Sequence, residues 1–296
     1  MPWGELAAIA TAVCWSFTAI FFSISAQRIG SDVVNRSRLL FAFGFLLIAH
    51  RLIEGVFFPQ DVEPFRWGWL ALSSLLGLVL GDAFLFRALV DIGPRLSMLM
   101  MATVPIISTL FGWLLFGEVI NSLELTGVLL AVGGVAWVVT EGRGETSVAD
   151  RRVYHRGLLF ALLGAVGQVA NLVTARYALV DDFPAISATV IRILVAIIIL
   201  WGLAGLRGQI RYTFRQWRDK QGFQALIAGA TFGPFLGIWF SLIAVQNARL
   251  GIASTLMALP PILLIPLEYL IYRRRVSRRG MTGTVVAMVG VALLFV

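Results

Sequence analysis

Four ionisable side chains interrupt long apolar stretches of the sequence: Arg38, Asp82, Arg192 and Glu268. Removing a charge from water is costly unless the charge is paired, so each of these residues is a candidate for function. We predict that Asp82 contacts a substrate or carries a coupling proton. The competing interpretation is a structural carboxylate that pairs with an arginine of a neighbouring helix. Glu268 precedes the arginine run that begins at Arg273, and is either an interfacial partner of that run or a buried proton site.

A polar stripe lies in one of the apolar segments. Gln168, Asn171 and Thr174 follow one another there at helical spacing. In apolar surroundings these side chains need polar partners. The stripe therefore either lines a cavity or hydrogen-bonds a neighbouring helix.

The sequence contains no recognisable catalytic or metal-binding pattern. Its two histidines, His50 and His155, fall at or beyond the ends of apolar segments, where neither can join a buried triad or an intramembrane zinc site. Cys14 is the single cysteine, which excludes an internal disulfide and a cysteine metal cluster. No GxxxxGK[ST] nucleotide-binding sequence is present. We therefore expect no enzymatic activity, no metal and no cofactor.

The composition is that of an integral membrane protein. The chain is 59% hydrophobic and 14% charged over 296 residues, whereas a soluble domain is about half apolar and about a quarter charged. The net charge of +8 resides mostly in short connections between apolar runs. There it orients a membrane protein, so we expect no nucleic-acid partner.

Apolar runs of about 20 residues predict ten transmembrane helices in an all-α polytopic membrane protein. The runs cover residues 3–25, 33–50, 67–90, 96–116, 122–140, 157–178, 186–206, 222–246, 250–272 and 280–296. The first run lacks a basic flank and a cleavage site, and we interpret it as a retained helix. The distribution of basic residues predicts a multi-pass protein of the cytoplasmic membrane with both termini outside.

The two halves of the chain repeat each other. A shift of about 156 residues aligns Gly81 with Gly237 and Pro105 with Pro261. Each half has five predicted spans, an odd number, so the second copy enters the membrane from the opposite side. We predict two inverted five-helix repeats, residues 1–141 and 157–296, joined by a cytoplasmic linker, residues 142–156. Inverted repeats build secondary transporters that bind substrate near the membrane midplane.

The repeat also relates individual candidates. Pro105 and Pro261 predict helix bends at equal depth in the fourth and ninth spans. Arg38 and Arg192 match near the starts of the second and seventh spans, and face opposite sides of the membrane. They are either gating or packing residues, or side chains that snorkel to the headgroups.

Small residues recur in the last span of each unit, at Gly127, Gly134, Gly283 and Gly290. Such spacing favours close helix packing. We expect the fifth span to pack against the tenth, or the pattern to form a dimer face.

The chain resembles the ten-helix EamA type of the drug/metabolite transporter superfamily, essentially over its whole length. The resemblance rests on these segments: CWSFTAIF, RSRLLFA, GDAFLFRALVDIG, VPIISTLFGWLLFGE and TGVLLAVGGVAWV in the first unit, and VIRILVA, PPILLIPLEYLIY and TGTVVAMVGVALL in the second. One departure concerns Gly117-Glu118, which Arg273-Arg274 replace in the second copy. A role of that glutamate is therefore not carried over to the second unit.

The resemblance implies a cavity lined by spans one, three, four, six, eight and nine. Candidate cavity residues are Trp15, Asp82, Phe86, Met98, Met101, Gln168, Asn171, Trp239 and Thr255. For the aromatic and methionine residues, simple packing is the competing interpretation.

The implied function is secondary transport of a small metabolite, amino-acid-like or related, in the direction of export. The expected partners are the substrate, the lipid bilayer and a coupling ion such as a proton, for a monomer or homodimer. One rival function is a passive pore or uniporter. The other is a membrane-embedded enzyme acting on lipid-linked substrates, which would need a cluster of acid, base or metal-binding residues at one interface.

Overall fold

The computed structural model describes residues 3–101, 103–140, 151–260, 262–263 and 278–293, and every regular element in these ranges is helical. The α-helices are α1 (Trp3–Ile29), α2 (Ser31–Glu54), α3 (Pro64–Ser74), α4 (Asp82–Met101), α5 (Val104–Phe116), α6 (Ser122–Thr140), α7 (Arg151–Ala178), α8 (Ala185–Leu206), α9 (Ile210–Gln216), α10 (Lys220–Ala230), α11 (Ile238–Asn247), α12 (Leu250–Met257) and α13 (Arg278–Leu293). Two seven-residue π-helical segments complete the list. The first π segment (Leu75–Gly81) joins α3 to α4, and the second (Thr231–Gly237) joins α10 to α11.

Six helical stretches in the described residues are long and apolar enough to cross a membrane. They are Trp3–Ile29, Ser31–Glu54, Pro64–Leu85, Arg152–Ala178, Ala185–Leu206 and Lys220–Asn247. Shorter apolar helices cover Val104–Phe116, Ser122–Trp137 and Gly280–Leu293. The all-α polytopic class is therefore confirmed, while the number of ten spans stays a prediction. Pro261 and Glu268 lie outside the described residues, as does the expected contact of Glu268 with the arginine run.

The repeat is visible in the irregular parts of the helices. The two π segments are separated by 156 residues, the shift that relates the two halves of the sequence. The same shift relates the last residue of α4, Met101, to the last residue of α12, Met257. Pro234 lies inside the second π segment, but its counterpart in the first is Leu78. Proline alone therefore does not explain the π geometry, which both units share.

One predicted connection is wrong. The apolar runs predict a break between the third and fourth spans at residues 91–95, but α4 continues through these residues to Met101. The interruption instead comes just before α5, where Pro105 occupies the first turn. Proline is tolerated there because the first-turn amides have no intrahelical acceptor.

Close helix packing holds the two units together. Helix α1 packs along α10, the second π segment and α11, while α7 packs along α3, the first π segment and α4. Helix α6 packs on α13, as the small-residue pattern predicts. At Gly134 a Cβ atom would lie 2.6 Å from the backbone nitrogen of Ala287, so only glycine permits this approach.

Candidate functional site

The first polar contact inside the bundle joins Arg38 to Asp82. Asp82 is the first residue of α4, directly after the first π segment, and its carboxylate forms an ion pair with the guanidinium of Arg38 on α2. The two side chains are only 22% and 10% exposed. Arg38 also donates to Asn35 Oδ1 at 3.2 Å and lies 5.7 Å from the centre of the Phe22 ring. Both charges are thus compensated in apolar surroundings.

The second polar contact centres on Arg192, which is 1% exposed. Its Nη2 donates to Asn171 Oδ1. The Asn171 side chain in turn accepts a hydrogen bond from Ser73 Oγ at 2.8 Å, and Ser74 Oγ donates to the Arg192 carbonyl at 2.6 Å. Hydrogen bonds through Arg192 and Asn171 therefore link helices α3, α7 and α8.

The charge of Arg192 is less well compensated than that of Arg38. Its Nε has no hydrogen-bond partner, and no carboxylate in the described ranges forms an ion pair with it. The carboxylate of Asp82 forms its ion pair with Arg38 instead. Of the two repeat-related arginines, only Arg38 therefore has an ion-pair partner among the described residues.

The repeat relates the two arginines but not their partners. Each lies seven residues after the start of its helix, α2 or α8, which places it about 10 Å along the axis from that end. The 156-residue shift carries Asp82 to Ile238, an apolar residue. Among the described residues, the carboxylate of the site therefore belongs to the first unit only.

The polar stripe is used for bonding between and within helices. Asn171 lies 5% exposed between Arg192 and Ser73, and its Nδ2 donates to Gln168 Oε1 at 3.4 Å. Thr174 Oγ1 donates to the Ala170 carbonyl at 2.6 Å within α7. Of the two interpretations of the stripe, the described contacts match hydrogen bonding to a neighbouring helix.

Two tryptophan candidates flank the second π segment. The Trp15 indole packs directly against Gly237, because a Cβ atom added at Gly237 would lie only 2.6 Å from Trp15 Nε1. Trp239 stacks on Phe235, with ring centres 6.2 Å apart. Both tryptophans are partly buried against the core, which is packing of the kind that competes with a cavity role.

The remaining candidates are dispersed. Met101 packs, partly buried, on the main core cluster. Thr255 is 1% exposed and donates to the Gly251 carbonyl at 2.7 Å within α12. The side chains of Phe86 and Met98 lie outside the described part of the structure. None of the described residues form a metal-binding group of histidine, cysteine, aspartate or glutamate.

An ionic network that the sequence does not predict lies on the predicted outer face. Glu118, 8% exposed, pairs with Arg176 of α7 and accepts hydrogen bonds from the Leu250 amide. Nearby, Arg249 pairs with Glu124 and donates to the Val119 carbonyl at 2.8 Å. The order of charges in the sequence could have indicated this network. Glu118 and Glu124 follow the fourth predicted span, and Arg249 comes directly before α12, the matching helix of the second unit.

Ion pairs also link helices on the predicted cytoplasmic face. Arg156 of α7 makes a two-pronged contact with Asp91 of α4, at 2.9 and 3.1 Å, and Arg87 lies 3.3 Å from the same carboxylate. Arg28 pairs with Asp219 at 3.2 Å. Both ends of the bundle are therefore fastened by charge pairs between separate helices.

Comparisons with known proteins agree with this architecture. The model of a family described as the EamA-like transporter family matches twice, at residues 2–140 and 155–296. No curated protein matches the chain. One solved structure, described only as the crystal structure of a protein, is similar with a TM-score of 0.77 and 20% identity, over 98% of this chain and 95% of that one. At that identity the likeness shows the fold.

Proposed function

Because this chain belongs to the EamA-like transporter family, and is therefore a membrane transporter of the drug/metabolite type, we propose that it moves a small metabolite across the cytoplasmic membrane by alternating access. The proposed substrate is amino-acid-like or a related compound, and the proposed direction is export. The observation that carries the mechanism is the matched pair of π segments, Leu75–Gly81 and Thr231–Gly237.

A mechanism in which the two units rock against each other needs helix irregularities at equivalent positions in both units. π-helical segments disturb the regular hydrogen-bond ladder and occur often at functional sites. In inverted-repeat transporters, broken helices surround the substrate, and one unit rocks against the other. Here the π segments and the helix ends at Met101 and Met257 give each unit two equivalent positions for a change of helix direction.

The ionic network on the predicted outer face supports a state closed on that side. Glu118 ties α7 to the start of α12, and Arg249 ties the same region to α6. Opening this face requires both connections to separate. The network is therefore proposed as the outer gate.

Asp82 is the proposed coupling group. It forms an ion pair with Arg38 of α2, so its protonation would break the charge pairing between α4 and α2. A change of that size is suited to link proton movement to a conformational change. An ion pair with an arginine of a neighbouring helix is also what a structural carboxylate forms, so transport by an Asp82→Asn variant distinguishes the two roles.

Transport in proteoliposomes tests the proposal. The purified chain is reconstituted with a defined mixture of amino acids, sugars and nucleosides inside, and mass spectrometry follows which compounds leave. A carrier shows saturation and counterflow, in which unlabelled substrate inside drives entry of labelled substrate. Leakage without saturation or counterflow would instead indicate a pore, and a chemically altered compound would indicate an enzyme.

A further inference from the structure

Arg192 is a buried cation with incomplete bonding. In the part of the chain that the structure describes, its guanidinium donates to Asn171 Oδ1, and its Nε has no partner. A buried charge of this kind is expensive in a membrane and is usually retained for function. Packing alone does not require it, because an apolar side chain of similar volume fills such a position at no charge cost.

The local charge balance indicates what would complete the site. Among the described residues the Asp82 carboxylate forms an ion pair with Arg38, whereas no carboxylate forms one with Arg192, so the single positive charge of Arg192 is not balanced there. Asp82 is held by Arg38. The missing partner is therefore one anionic group that contacts Arg192.

We propose that Arg192, oriented by Asn171, binds the carboxylate of the transported substrate. This inference rests on the proposed transport function and adds the substrate class to it: a small molecule with one carboxylate. The planar guanidinium matches a carboxylate through two parallel hydrogen bonds. A monoanion balances the site, whereas a phosphate monoester, which carries nearly two negative charges at neutral pH, overcompensates it.

The surroundings of Arg192 point to a solute rather than a lipid. Arg192 lies about 10 Å along α8 from its first residue, whereas lipid phosphates stay at the membrane surface. The next residue, Ile193, belongs to a core cluster against which Trp239 packs. The neighbourhood thus suits a carboxylate attached to an apolar body.

The test compares acids with their own uncharged amides. Phenylacetate with phenylacetamide, and isovalerate with isovaleramide, differ little in shape but only the acids carry a charge. The full chain in lipid nanodiscs is heated with each compound, and its unfolding midpoint is measured. In parallel, each compound competes in the counterflow assay. We expect the acids to raise the midpoint and to inhibit, and the amides to do neither.

Three variants of the site and one control separate binding from folding. Arg192→Met removes the charge, and should weaken acid binding by about tenfold or more, as expected for a lost charge-assisted hydrogen bond. Arg192→Lys keeps the charge and should retain part of the effect. Asn171→Asp supplies Arg192 with a permanent carboxylate, so it should fold at least as stably and lose acid binding. The control Arg207→Gln changes an exposed arginine after the same helix and should match the wild type.

The outcomes are distinguishable. Equal effects of acids and amides, or full acid binding in Asn171→Asp, would overturn the carboxylate site while leaving transport intact. If no compound shows counterflow, the transport proposal fails, but the midpoint measurement still reports on acid binding. Should Arg192→Met fail to fold, Asn171→Asp and Arg192→Lys decide the result.

Discussion

The backbone amide of Leu250 donates to both carboxylate oxygens of Glu118, at 3.1 and 2.9 Å, across 132 residues of sequence. Leu250 is the first residue of α12, so Glu118 satisfies a helix-terminal amide that has no intrahelical acceptor. The negative charge also lies where the helix dipole favours it. One unit of the repeat thereby caps a helix of the other.

Substitution of this carboxylate should loosen the predicted outer face. Glu118→Gln keeps the shape but leaves Arg176 without its counter-charge, so we expect the free energy of unfolding to fall by about 2 kcal/mol. Thermal unfolding in detergent measures the change. Glu54→Gln, at an exposed carboxylate, is the matched control. Equal midpoints for the two variants would show that the contact contributes no stability.

Gly237 closes the second π segment against α1 and should not tolerate a methyl group. A Cβ there would lie 2.6 Å from Trp15 Nε1 and 2.9 Å from the Phe232 carbonyl. We expect Gly237→Ala to cost roughly 1–3 kcal/mol, the range for overpacking. Gly44→Ala, in the middle of α2 with nothing within 4 Å, should be neutral or stabilising because alanine favours helix. Unfolding midpoints of the pair decide this, and an equal loss at both positions would contradict the packing argument.

The sequence predicted the repeat and its register but not the local geometry at the site. The 156-residue shift that aligns Gly81 with Gly237 also relates the π segments. The pattern of apolar residues does not predict π-helical geometry, however. That geometry depends on which backbone carbonyl accepts the hydrogen bond of each amide, and not on which side chains are apolar.

The sequence also does not predict which residues pair with the candidate charges Asp82 and Arg192. The sequence alone shows that Asp82 is an isolated charge within an apolar span. That Arg38 is its partner, and that Asn171 bonds Arg192, depends on contacts 44 and 21 residues apart in the chain. Such contacts are fixed by how the helices pack, which composition does not encode.

Adjacent glycines in α6 should differ sharply in tolerance. A Cβ on Gly134 would lie 2.6 Å from the Ala287 nitrogen, whereas one on Gly133 meets nothing within 4 Å. Gly134→Ala should therefore separate α6 from α13 and lower the unfolding midpoint, while Gly133→Ala should leave it unchanged or higher. Since the two variants have the same composition, hydropathy cannot explain a difference. If they unfold alike, the close α6–α13 approach is wrong.

Asp82→Asn should separate exchange from proton coupling. It removes the counter-charge of Arg38, so we expect a loss of stability of about 2 kcal/mol or more. If Asp82 carries the coupling proton, counterflow persists but accumulation driven by a pH gradient disappears. The double variant Arg38→Met with Asp82→Asn removes both charges of the ion pair and should recover stability. Coupling should stay lost in that variant, because no proton carrier has been restored. Recovery of gradient-driven accumulation together with stability would assign Asp82 a structural role only.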